Sequence, residues 1–374
     1  MLQLTSIALR EIRLPLRESF TISSGTMHDR RIALLELTDV SGASTWSECV
    51  ADDLPNYTSE TIDTAWLAIT RWIAPRILGR RFDAPGEVFT KLEEDFRGHL
   101  MAKAAVEMGM WGVEATRVGV SLARLLGGTR SSIPVGISIG IQATPDALVD
   151  KVRGALAEGY RKIKLKIMPG KDIAYVQAVR DAFPDAPVMA DANNAYTLDA
   201  VDALVAMDDL DLMMFEQPLG WEDIVRHGTL QRMLQTPICL DESITSLDRA
   251  QDMVALGAGR LINIKPGRVG GLAQSLAIHD YCEAHHVPVW CGGMLESGIG
   301  RAYNVALASL GNFRKPGDLS PSARYWARDI VTPAWTMSAD GMMTVPLDIP
   351  GLGVAVDVDH IDDLTVRMER LTSA

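Results

Sequence analysis

The sequence predicts an α/β protein: a (β/α)8-type barrel preceded by a smaller α+β domain to which the carboxyl-terminal tail returns. Two observations carry this prediction. From Ile133 onward, short apolar runs alternate with amphipathic helical patterns at a period near 25 residues, the pattern of parallel βαβ units. Five ionisable side chains, Lys166, Asp191, Glu216, Asp241 and Lys265, then end or follow successive runs, with gaps of 25, 25, 25 and 24 residues. A buried parallel strand avoids charge, so a charge repeated at one phase of five strands marks a site. One period around a ring of charges favours closure over the alternative, a doubly wound open sheet.

The elements follow in order. Residues 3–16, 31–40 and 43–51 alternate apolar and polar side chains and form a small antiparallel sheet. Helical patterns cover 57–77, 86–97 and 101–118, the last closed by Gly119. The barrel strands lie within PVGISIGI (134–141), KIKLKI (162–167), PVMADA (187–192), LDLMMFE (210–216), PICLDE (237–242), RLINIK (260–265) and PVWCGG (288–293). Helices such as 144–160 and 246–258 separate them, and an eighth strand around Gly317 to Ser320 is weakly marked. Glycines and prolines in 330–357 indicate turns rather than helix. The expected division is residues 1–125, an α+β domain; 126–325, the barrel; and 326–374, the tail.

At 374 residues and 47% hydrophobic composition, the chain can bury a large core. Its formal charge of −12 argues against nucleic-acid and anionic-membrane partners. Cys49, Cys239, Cys282 and Cys291 lack metal-binding or disulfide-framework spacing, so reduced thiols are expected. The amino terminus is charged by residue 10, and no apolar run approaches membrane-spanning length. The expected setting is the cytoplasm. The expected partners are a small-molecule carboxylate substrate and further copies of the chain in a homo-oligomer.

Asp191, Glu216 and Asp241 occupy equivalent places on three consecutive strands, so in a barrel they converge at the rim. Bare, they would repel and be driven to protonate; a divalent cation removes the conflict. All-oxygen ligation favours a hard ion, Mg²⁺ ahead of Mn²⁺ and other divalent cations. The plainer alternative is a capping role, since Asp241 and Glu242 precede a helix. Lys164 and Lys166 share one face of their strand, while Ile163, Leu165 and Ile167 point to the helix layer. Arg161 and Lys162 are expected at the surface. Lys265 closes the opposite side of the ring. A lysine beside Lys164 and a metal is pushed towards the lower pKa that a general base needs. Lys166 and Lys265 would flank opposite faces of a substrate carboxylate, and removal of its α-proton gives an ene-diolate that a cation stabilises.

These residues carry a resemblance. KIKLKI, DANNAY (191–196), EQPL (216–219), LDES (240–243), NIKPGRVGG (263–271) and WCGGMLESGIGR (290–301) together resemble the muconate-lactonizing subgroup of the enolase superfamily. Within it the chain is most similar to the o-succinylbenzoate synthase and N-succinylamino acid racemase family. The resemblance implies a modified TIM barrel, Mg²⁺ on Asp191, Glu216 and Asp241, Lys166 as base and Lys265 as acid or base on the other face. It also implies that Lys164 supports the substrate carboxylate, with Asn193 and Glu242 near the metal. The first domain would cap the barrel, with segments 19–29, taken as a flexible loop, and 50–57 closing over it. Phe20, Thr26, Met27 and Tyr57 would then contact substrate. Gly292, Gly293, Met294 and Leu295 would bring backbone to an acyl carbonyl.

Two absences narrow the resemblance. The His and Asp pair of mandelate-racemase-like members does not replace Lys265. The Asp-x-Asp with which dipeptide epimerases hold a free amine is reduced to Asp318, Leu319 and Ser320. An N-acylated amino acid therefore fits best: racemisation of N-succinyl amino acids, syn-dehydration to o-succinylbenzoate in menaquinone biosynthesis, or both. The alternatives are muconate cycloisomerase, dipeptide epimerase and a barrel that binds metal and carboxylate without turnover. Arg268 either raises the potential near Lys265 or pairs with a surface carboxylate. His285 and His286 read as caps at a helix end.

Overall fold

The structure, a computed structural model, describes residues 1–22 and 25–373. The first three strands, Leu2–Ile22, Gly25–Asp39 and Ser44–Cys49, pair antiparallel in chain order. Both faces of this sheet are buried, and strict alternation decides which residue goes where. Ala33, Leu35 and Leu37 pack with Ile62, Ile69, Ile73, Val106 and Met110 of the overlying helices. Ile32, Leu34 and Trp46 instead belong to the large core that continues through the barrel.

The helical pattern at 57–77 is realised as Ile62–Ala68, a wider π-type turn over Ile69–Ile73 and Ala74–Ile77. Thr61 begins it, accepting from the Thr64 amide at 3.2 Å. Helix Leu100–Val118 is buried around most of its circumference, as expected of an element between a sheet and a barrel, and ends at Gly119 in the left-handed region.

Seven parallel strands follow: Gly136–Ile139, Lys162–Lys166, Val188–Asp191, Phe215–Glu216, Ile238–Leu240, Leu261–Ile264 and Val289–Cys291, hydrogen-bonded in sequence order. The weakly marked eighth segment completes the ring. Gly136 N donates to Gly317 O at 2.7 Å on one side, and Asp318 N donates to Cys291 O at 2.9 Å on the other. Outward residues Ile163, Leu165 and Ile167 share a core with Val152, Val176 and Val179 of the flanking helices. Met189, Met214, Cys239, Leu261 and Trp290 form a separate apolar cluster contributed by four of the strands and by the residue before Phe215.

The tail makes turns and short pairings over 330–357, then helix Val358–Leu364 and strand Thr365–Thr372. That strand adds to the edge of the first sheet, with Ser6 opposite Thr372 and Ile12 opposite Thr365. The α/β fold class therefore holds: a modified TIM barrel under an α+β cap built from both ends of the chain. Among the described residues no helix is long and apolar enough to cross a membrane. All four cysteines are free and buried.

Segment 19–29 differs from expectation. It is the end of a β-hairpin, with Phe20 opposite Met27 and Thr21 opposite Thr26, and Ser23 and Ser24 lie outside the described residues. The strands simply continue past Pro15, because backbone pairing tolerates the polar side chains that read as a loop. The hairpin is seated on the barrel: Ile141 N donates to Thr21 O at 3.0 Å, and Arg17 N donates to Tyr325 O at 2.8 Å.

Candidate active site

The barrel strands end together, and their ends set the site. Lys166 and Asp191 are direct neighbours in the parallel register, as are Asp191 and Glu216. Lys166 Nζ lies 2.7 Å from Asp191 Oδ2 and donates to Asn193 Oδ1 at 2.5 Å. Lys164 Nζ lies 3.2 Å from Asp191, 3.1 Å from Glu216 and 2.5 Å from Asp318. On the other arc, Lys265 Nζ lies 2.7 Å from Asp241 Oδ2 and donates to Tyr57 Oη at 3.0 Å. The five charges singled out from spacing thus fall into two ion-pair groups, Lys166, Asp191 and Glu216 joined through Lys164 on one arc and Asp241 with Lys265 on the other.

The electrostatics divide the three carboxylates. Burial opposes ionisation of all of them. At Asp191 the ammonium groups of Lys166 and Lys164 overcome it and hold the carboxyl below its usual range. Lys265 and Arg268 do the same for Asp241. Glu216 is pushed up to about 8 by burial and by Asp191, which outweigh Lys164. Glu242 is pushed up to about 7 by burial and by Asp241. Burial opposes the charge of Lys265, but Asp241 and the Tyr57 hydroxyl together outweigh it and raise the lysine.

The donor set fits a hard divalent cation. Three carboxylates end adjacent strands without histidine or cysteine beside them, and two buried acceptor atoms at the same rim, Glu242 Oε2 and Asn194 Oδ1, have no hydrogen-bond partner. Among the described residues no three such side chains are gathered into a coordination shell, because lysines and an arginine take up the carboxylate oxygens.

Neighbouring residues fix the geometry. Gln217 accepts from the Asp241 and Ser243 amides at 3.0 and 3.3 Å and donates to Ser243 Oγ at 2.6 Å, so the fourth strand end orients the fifth. Ser246 caps the helix that follows, which leaves Asp241 and Glu242 for the site. Asn193 Nδ2 donates to Glu242 Oε1 at 3.1 Å. Gly292 must be glycine: a Cβ there would stand 2.3 Å from Asn263 Oδ1 and 2.6 Å from Lys265 Cε. Gly293 packs as closely on the Asp318 carbonyl, and Met294 and Leu295 are half-buried beside them. Tyr57 reaches in from the first domain and donates to Asp241 Oδ1 at 3.2 Å. Phe20, Thr26 and Met27 instead line a cavity of about 500 Å³ with Asp52, Asp53 and Leu54.

One expectation is corrected and one of two alternatives is removed. Lys162 is fully buried rather than at the surface, 3.0 Å from Asp318 and 3.4 Å from the centre of the Trp290 ring. It shares the inward face of Lys164 two residues on, and only Arg161 is exposed. Arg268 pairs with no surface carboxylate; it is buried against Asp241 and donates to Ile244 O at 2.8 Å and Asn263 O at 2.5 Å. Sequence reasoning passed over Asn263, whose Nδ2 donates to Glu216 Oε1 at 2.7 Å. Its place two residues before Lys265 on a strand was the available signal. His285 lies at a helix end, its Nδ1 2.8 Å from Tyr281 O.

Comparison with known proteins gives the family of the chain. Residues 5–127 match the mandelate racemase/muconate lactonizing enzyme N-terminal domain, and residues 147–360 match the enolase C-terminal domain-like family. The chain is 46% identical over 359 residues to an o-succinylbenzoate synthase from Geobacillus kaustophilus, covering 96% of this chain and 95% of the relative. It is 44% identical over 365 residues to an N-succinylamino acid racemase from Amycolatopsis sp., covering 97% and 98%. A solved enolase-superfamily member from Listeria innocua Clip11262 superposes with a TM-score of 0.95 at 40% identity over 100% of both chains. The chain belongs to the enolase superfamily, in its muconate-lactonizing subgroup and in the o-succinylbenzoate synthase and N-succinylamino acid racemase family.

Proposed function

We propose that the protein removes the α-proton of a carboxylate with Mg²⁺ or another divalent cation held by Asp191, Glu216 and Asp241. Its reaction is racemisation of N-succinyl amino acids, syn-dehydration to o-succinylbenzoate, or both. One observation carries the reading: Lys166 and Lys265 engage different carboxylates on opposite arcs of one ring, with Lys164 between Asp191 and Glu216. When bound, the cation stabilises negative charge developing on the substrate carboxylate. Lys166 takes the α-proton on one face, and Lys265 delivers a proton on the other to complete racemisation. In dehydration Lys265 remains a cation beside the ene-diolate while one lysine serves as base. Lys164 adds a fixed ammonium to the same charge.

Relatives named for each reaction share this level of identity, which favours keeping both chemistries. In this reading residues 1–125 and 326–374 cap the barrel of residues 126–325. Asn193, Tyr57, Phe20 and the turn Gly292–Leu295 would contact substrate. Free buried thiols accord with a reducing cytoplasm.

Incubation with N-succinyl amino acids in D₂O, with Mg²⁺ and then with EDTA, tests the reading through α-deuteration. We expect exchange only with the metal; its absence for every substrate tried would leave a non-catalytic binder. Lys166→Ala and Lys265→Ala should each abolish racemisation, and full racemisation in either removes the two-base scheme.

A further inference from the structure

The α-proton chemistry proposed above uses Lys164 and Lys166 but gives no work to the third lysine on their face, nor to Asp318. Lys162, Lys164 and Lys166 alternate along one strand, so all three point into the barrel. Lys162 is the deepest and has no solvent exposure. Its ammonium stands over the face of Trp290, and Asp318 Oδ1 is its ion-pair partner at 3.0 Å. The second oxygen of the same carboxylate, Asp318 Oδ2, lies 2.5 Å from Lys164 Nζ. Asp318 therefore bridges a lysine at the base of the cluster and one at the reacting level.

The backbone around Asp318 is fixed on both sides. Asp318 N donates to Cys291 O, and the preceding Gly317 O accepts from Gly136 N. Gly293 lies against the Asp318 carbonyl so closely that an added Cβ would be 2.6 Å from it. A buried ion pair is a poor source of stability compared with apolar packing of equal volume, and apolar packing is present next to it in Met189, Met214, Cys239 and Trp290. A carboxylate retained there needs another purpose.

We infer that Asp318, held by Lys162, is a positioning residue that fixes the Lys164 ammonium between Asp191 and Glu216. Lys164 has three carboxylates around it, and Asp318 is the only one of them that ends no metal-bearing strand. It anchors Lys164 from below while the two upper contacts remain available to the site. The missing second aspartate of the eighth strand is then incidental to Asp318, whose partners are lysines of the barrel rather than a substrate amine.

The test uses the full chain with Mg²⁺ and an N-succinyl amino acid that the wild type exchanges, so that failure of the reaction itself is seen first, in the wild type. Asp318→Asn should lower kcat by about 10²-fold with KM changed less than about 3-fold, the scale of a misplaced reacting group. It should also lower Tm, because Lys162 is left without a partner. The double variant Lys162→Met/Asp318→Asn removes both charges and should recover Tm while kcat stays low. Combining Asp318→Asn with Lys164→Ala should cost no more than Lys164→Ala alone, since one acts through the other. If kcat returns together with Tm in the double variant, or Asp318→Asn turns over normally, the pair is structural and the inference fails. Where Asp318→Asn does not fold, the double variant carries the comparison with wild type.

Discussion

At Gly292 a single missing methyl group decides whether Lys265 can occupy its place. The side chains of Asn263 and Lys265 pass through the space a Cβ would fill. Asn263 in turn holds Glu216, so a displacement there reaches two strands at once. Gly292→Ala should therefore reduce kcat by about 10²-fold or more with the chain still folded. Steady-state kinetics beside a circular-dichroism melt checks this, and unchanged kcat would show that the neighbours give way. Spacing alone made Lys166, Asp191, Glu216, Asp241 and Lys265 legible, because one charge per strand violates what a buried strand otherwise allows. Lys162 was misread for the opposite reason. Alternation tells which face a residue occupies but not how deep the charged layer extends, and its depth depends on Asp318, about 150 residues away in the chain. Arg268 lies in a four-residue helical turn, Pro266–Val269, whose periodicity is too short to assign a face.

At the scale of elements, seven strands were legible from their length, apolar content and period. The eighth, around Gly317 to Ser320, was only weakly legible, because the ring closes there by a few backbone bonds and Pro316 and Gly317 interrupt the segment. The hairpin at 19–29 read as a loop because its side chains are polar; its order comes from pairing across the sheet. The loop after the fourth barrel strand, Phe215–Glu216, has a different anchor. His227 is buried, accepts from the Leu219 amide through Nε2 at 3.0 Å and donates through Nδ1 to Asp223 O. Burial pushes its pKa down to about 4, against a small opposing pull from the Asp223 carbonyl. The unfolded chain thus binds this proton more tightly than the folded one between about pH 4 and pH 6.5. Stability from this group is full above 6.5 and is lost as pH falls through 4, by about 3 kcal/mol in the limit. Chemical denaturation from pH 7 to pH 4 should show a steeper decline for wild type than for His227→Gln. Parallel curves would mean the imidazole is already free to protonate in the fold.

At the scale of the whole molecule, the first domain and the barrel are joined by more than their shared apolar core. Glu107, in the middle of helix Leu100–Val118, accepts from the Leu272 and Ala273 amides at 2.7 and 2.9 Å and from Trp111 Nε1 at 2.7 Å. It thereby closes the N-terminus of the barrel helix Leu272–Ala284, which follows Lys265 by way of Gly270 and Gly271. Glu48, on the third strand of the first sheet, likewise accepts from the Ser297 and Gly300 amides at the N-terminus of helix Gly298–Ala308, which follows the turn at Gly292. Each of the two capping-domain carboxylates fixes a helix placed just beyond a piece of the site. The body of the cap is therefore bound to the barrel. Glu107→Ala strips one buried and two half-buried donors of their acceptor, and at about 1–3 kcal/mol per unsatisfied group, non-additively, it should cost about 3 kcal/mol. Because the cap and barrel share one core, that loss should lower a single unfolding transition rather than detach one domain. Glu107→Gln keeps one acceptor and should fall between wild type and Glu107→Ala. Two separate transitions for Glu107→Ala, followed by fluorescence and calorimetry together, would show that the two parts fold independently and that their coupling is weaker than these bonds imply.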